Sequence, residues 1–141
     1  DMQRYQQLKV WRKAHENLLQ ILTLDEKLPQ RQVAWTVFKQ LIRSASSIGA
    51  NIAEGHGRQL PQSRHKDYLN FLEIALGSAN ETDYWLTVIR DAELMPGDFV
   101  APLIATNEEV LRMLYVLIRE TQNMRTASVR SATGYRLQAI G

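Results

Sequence analysis

Residues 46–58 read SSIGANIAEGHGR, and the reading of this stretch decides the fold. It opens inside a helical pattern with almost nothing but small side chains, then runs through Glu54 into Gly55, His56, Gly57 and Arg58. Glycines beside an arginine raise the possibility of a phosphate loop. Such a loop, however, leads into a helix N-terminus, where backbone N–H groups point at the anion. Here the glycines follow the helix, where exposed carbonyls repel anions. The stretch therefore reads as a helix seam followed by a stop. Ser46 to Ala53 let a neighbouring helix come close, Glu54 is a carboxylate at that seam, and Gly55 or Gly57 caps the helix in a left-handed conformation. Gly49 in mid-helix costs about 1 kcal/mol against alanine, which tertiary packing must offset.

Working outward, the chain shows four helical segments. The seam belongs to the second, about Trp35 to Glu54, whose apolar stripe is Val37, Leu41, Ala45, Ile48 and Ile52. The first runs from about Leu8 to Leu28, with Val10, Ala14, Leu18 and Ile21 at helical spacing before Pro29. The third runs from about Ser63, read as its N-cap, to Leu94, before Pro96-Gly97. The fourth runs from about Asp98 to Met124, with Thr106 and Asn107 as polar interruptions. Nothing reads as a strand. Long helices joined by short loops predict an all-α, antiparallel up-down-up-down four-helix bundle over 1–124. Residues 125–141 have no clear period and no acid, and read as a basic C-terminal tail.

Composition excludes several function classes. There is no cysteine among the 141 residues, hence no disulfide framework and no thiolate metal site. No apolar run reaches the ~18–20 residues of a membrane span, and the start of the sequence lacks the apolar core of a signal peptide. A cytoplasmic protein with no membrane partner is expected. Di-iron bundles pair Glu-x-x-His motifs, and no acid here has a histidine three residues later, so no metal or cofactor is expected. Glu73, Gly77, Asn80 and Tyr84 share one helical stripe. Glu54 and Glu73, with Asn51 and Arg43, read as polar contacts across a helix seam rather than an acid/base pair. Trp11, Trp35 and Trp85 read as core or oligomer contacts.

Charge is the more informative feature. The topology gathers the first helix's start, the second-to-third loop and the fourth helix's end at one pole. Eleven cations fall there: Arg4, Lys9, Arg12, Lys13, Arg58, Arg64, Lys66, Arg119, Arg125, Arg130 and Arg136. Only Asp1, Glu16, Glu54, Asp67 and Glu120 oppose them. The whole chain carries just +2, so the excess is concentrated at this end. Cations beside a helix N-terminus form a candidate phosphate-backbone site.

Three blocks, LKVWRKAH at 8–15, KQLIRSASSIGANIAEGHGR at 39–58 and YLNFLEIALGSANE at 68–81, together resemble the 23S rRNA intervening-sequence proteins, often labelled ribosomal protein S23. The matching motif positions are Asn51, Ile52, Ala53, Glu54, Gly55, Gly57 and Arg58, then Phe71, Leu72, Ala75, Gly77, Ser78 and Glu81. The resemblance covers about residues 8–120. It departs at QLPQ, residues 59–62, and in the longer arginine-bearing tail. It implies a four-helix bundle assembling as a ring-like homopentamer, with no known enzyme activity. It also implies likeness to the accessory variability protein of diversity-generating retroelements, a basic pentamer that partners a reverse transcriptase and its RNA.

The resulting expectation is a non-enzymatic accessory protein that binds RNA, or an RNA-protein complex, through its basic end. A reverse transcriptase is the most concrete protein partner. Arg58, Arg64, Lys66, Arg125, Arg130 and Arg136 are the expected phosphate contacts, positioning the nucleic acid without reading bases. The competing expectation is a protein-only oligomeric scaffold, and an enzyme built on Glu54, Glu73 and Asn51 comes third.

Overall fold

Apolar residues at helical spacing build four helices in the computed structural model, which describes residues 4–58 and 65–140, with the side chains of all but His65 and 135–140. These are α1 (Lys9–Thr23), α2 (Gln32–Gly57), α3 (His65–Asp91) and α4 (Gly97–Ile140). Short 3₁₀ turns at Tyr5–Gln7 and Leu24–Lys27 flank α1. Among the described residues there is no strand. α1 and α3 each pack against both α2 and α4, so the four helices form an antiparallel bundle with α1–α3 and α2–α4 as the diagonal pairs.

The core is two apolar clusters rather than one. At the first end Val10, Ile52, Leu72, Val110 and Leu114 pack together. At the second, Ile21, Phe38, Leu41, Leu86 and Val100 do so. Between them lies a polar belt that links all four helices. Asn17 of α1 donates to the Leu103 carbonyl of α4 at 3.2 Å. Asn107 of α4 donates to the Ala79 carbonyl of α3 at 3.0 Å. The Thr82 hydroxyl of α3 lies 3.0 Å from Ser44 Oγ of α2, and the Ser47 and Ser78 hydroxyls meet at 2.8 Å. Buried polar groups demand partners, and each bond forms at one relative height, so the belt fixes the register of the helices.

Three boundaries differ from the sequence reading. Neither Gly55 nor Gly57 is left-handed; both belong to α2, whose C-cap is Arg58 with φ −91°. Gly55 is instead a site of close approach: a Cβ there would stand 2.6 Å from Phe71 Cβ of α3. The left-handed stop belongs to α3. Glu93 has φ 52°, the Leu94 N–H reaches the Ile89 carbonyl at 3.0 Å, and the Glu93 N–H reaches that of Arg90 at 3.1 Å. This pair of bonds is a Schellman cap with glutamate where glycine is usual. Third, α4 does not end near Met124 but continues through Arg125, Arg130 and Arg136 to Ile140. The Ser63 N-cap lies outside the described residues.

Candidate nucleic-acid interface

The first apolar cluster places the start of α1, the end of α2, the start of α3 and the last buried turns of α4 at one end of the bundle. The cations of those segments therefore share that end. Lys9, Arg12, Lys66 and Arg119 are exposed there. Lys13 is engaged by Glu109 of α4 at 3.2 Å.

Arg58 is partly committed. Its guanidinium holds Glu54 at 3.0 Å along its own helix and lies over the Phe71 ring at 5.3 Å. Glu54 is thus an exposed partner of Arg58, not a carboxylate in the α2–α3 seam. Among the described residues the seam contacts expected of Asn51 and Arg43 are absent as well. Asn51 donates to the Ser47 carbonyl at 2.8 Å and hydroxyl at 2.9 Å, while Arg43 and Glu73 face solvent. None of the grooves lined by described residues brings Asn51, Glu54 and Glu73 together. Among the described residues no cluster of three histidines or carboxylates could hold a metal ion.

Arg125 and Arg130 sit on the continuation of α4. Thr121 is the last buried residue of that helix among the described side chains, and every residue from Gln122 to Gly134 is exposed. From Thr121 to Ile140 the helix advances about 28 Å at 1.5 Å per residue. No acid occurs after Glu120. Arg125 and Arg130, together with Leu69 of α3 and Gln122, Asn123, Thr126 and Val129, line a groove of about 720 Å³. Neither arginine has a carboxylate partner among the described residues. The groove thus combines two unpaired guanidinium groups with amide and hydroxyl donors, the chemistry that suits a phosphate chain.

Arg64 lies outside the described residues. Arg136 lies on the same helix as Arg125 and Arg130. Lys66 is exposed in the first turn of α3. The sequence reading missed Gln122, Asn123, Thr126 and Val129; the acid-free run in which they lie was the available signal.

Beneath this end, Tyr68 is buried and its hydroxyl pKa is raised by that burial. Its ring packs where Gly55 lets α2 and α3 meet. Near the start of α1, Trp11 stacks on His15 at 4.6 Å and meets the edge of Tyr5 at 5.1 Å. Trp35 is exposed and Trp85 half-buried.

Comparison with known proteins agrees with this architecture. The profile of the 23S rRNA-intervening sequence protein family matches residues 6–116. The chain is also similar to a crystal structure from Bacteroides thetaiotaomicron, a protein of unknown function from the S23 ribosomal protein family. That similarity has a TM-score of 0.68 and 33% identity, and it covers 77% of this chain and 97% of the other. No curated protein matches. The family match ends at residue 116, so the projecting part of α4, with Arg125 and Arg130, lies beyond it.

Proposed function

The chain belongs to the family of 23S rRNA-intervening sequence proteins, and on that basis we propose that it is a non-enzymatic, homo-oligomeric accessory protein, a pentamer, binding RNA or an RNA-protein complex. The contact surface is the basic end of the bundle extended by the projecting helix. Arg125 and Arg130 bind phosphates in the groove. Lys66 and Arg136 widen the footprint, as does Arg64. Arg58 contributes less because Glu54 already neutralises it. The observation that carries the reading is the acid-free, solvent-surrounded run of α4 with two unpaired arginines.

Contacts of this kind hold and orient a nucleic acid without reading its sequence. If the copies of an oligomer point the same way, their basic ends share one face, and that field attracts RNA in a salt-dependent manner. The protein partner proposed is a retroelement reverse transcriptase, met in the cytoplasm with its RNA. Among the described residues no helix is long and apolar enough to cross a membrane.

The test is binding of a fluorescent single-stranded RNA at low salt to the full chain and to the variant Arg125→Glu with Arg130→Glu. Loss of binding with an unchanged oligomer supports the reading. Unchanged binding contradicts it and favours a protein-only scaffold. That scaffold's recruiting surface would be the apolar groove of about 360 Å³ lined by Leu8, Val10, Met113, Val116 and Leu117.

A further inference from the structure

Two outward faces of the bundle carry opposite charge. α2 turns Lys39 and Arg43 away from the core, above a surface of Ser46, Ala50 and Ala53. Its single acid, Glu54, is held by Arg58. α3 turns Glu73 and Glu81 outward beside Ile74 (44% exposed), Gly77 and Tyr84 (58% exposed). Among the described residues none of Lys39, Arg43, Glu73 and Glu81 has an ion-pair partner. The other two helices lack this polarity. α1 sets Arg12 one turn from Glu16, and α4 sets Arg112 one turn from Glu108, so each face carries both signs.

The heights follow from contacts inside one chain. The Ser44–Thr82 and Ser47–Ser78 hydrogen bonds and the Gly55–Phe71 approach set the antiparallel register of α2 and α3. At 1.5 Å per residue that register puts Glu81 within about 3 Å of the height of Arg43. It puts Gly77 level with Ala50 to within about 2 Å, and Ile74 between Ala50 and Ala53. In a closed ring whose axis runs along the bundle, neighbouring copies share the same height, so residues at equal levels face each other.

We infer that a second copy of this chain docks its α3 face on the α2 face of the first. Glu81 meets Arg43, and Ile74 and Gly77 cover the small-residue surface around Ala50. The contact is heterologous, head to tail, the kind that closes into rings. It buries Ile74 against alanines rather than water, and it gives Arg43 and Glu81 partners of opposite sign. The inference rests on the oligomeric reading above and names the two surfaces that would build the ring. A ring made this way aligns every basic end on one side.

The test is the solution mass of the full chain by size-exclusion chromatography with light scattering, for the wild type, Arg43→Glu, Glu81→Arg and the double variant. All substituted positions are exposed, and circular dichroism checks that the helices persist. The expected result is a multimer for the wild type, a fall to the 16.2 kDa single-chain mass for each single variant, and recovery in the double variant. Recovery is expected because every interface then holds the swapped pair. A double variant that stays monomeric overturns the Arg43–Glu81 pairing. A multimer indifferent to all three variants overturns this docking surface while leaving the oligomeric reading intact. A monomeric wild type overturns both, and the RNA titration then decides separately whether the basic end still binds.

Discussion

The two ends of the bundle are built on opposite plans. At the far end the chain closes over its own core: Leu94, Met95 and Val100 are buried above Phe38 and Leu86, α3 ends in a Schellman cap at Glu93, and Lys27 sits 4.4 Å over the Phe99 ring. At the basic end the core stops at Ile118 and Thr121, yet α4 runs on into solvent. One end contributes stability, and the other presents charge. A helical stretch exposed from Gln122 to Gly134 adds little to the fold, since isolated helices are marginal in water. Its presence is explained better by what it contacts outside the chain.

Substitutions separate the two plans. The largest loss is expected at the closed end: Phe38→Ala empties a side chain 1% exposed and should cost about 3–5 kcal/mol in denaturant unfolding. Next comes Gly55→Ala beneath the basic end. A methyl group at 2.6 Å from Phe71 Cβ forces α2 and α3 apart, for a cost of about 1–3 kcal/mol. Glu93→Gly should go the other way, gaining about 0.5–1 kcal/mol by relieving a left-handed side-chain-bearing residue. Gly57→Ala meets nothing within 4 Å in a helical position and should stabilise by up to about 1 kcal/mol. The contrast between Gly55 and Gly57, two residues apart and opposite in sign, tests the close-approach account most sharply. Ending the chain at Gln122 should change stability by no more than about 0.5 kcal/mol, while removing most RNA binding.

Much of this fold was legible in the sequence. The α2 stripe of Leu41, Ala45, Ile48 and Ile52 and the α1 set of Val10, Ala14 and Ile21 are buried as their spacing predicts. What escaped had physical reasons. A glycine needed for close packing and one needed for a positive φ look the same in one sequence, so Gly55 was misread as a cap. The true left-handed residue is a glutamate, which no propensity favours. From Arg125 to Gly134 α4 is exposed throughout, so this stretch carries no apolar period by which to be recognised. Glu54 was placed at a seam because its i+4 partner, Arg58, had been counted with the nucleic-acid surface. At the candidate site the arginines could be read from charge, whereas for Gln122, Asn123, Thr126 and Val129 the acid-free run marked the segment but not the individual residues. Only the groove between the start of α3 and α4 brings them together.

The central claim is that the projecting basic helix binds phosphates, and its most direct test is the salt dependence of RNA affinity. Each phosphate neutralised on a single strand contributes about 0.7 to the slope of log K against log salt. The slope should fall in magnitude by about 1.4 per chain when Arg125 and Arg130 are both replaced by alanine, with the oligomer unchanged. An identical slope for wild type and variant, or no RNA binding by the wild type at low salt, would contradict the account.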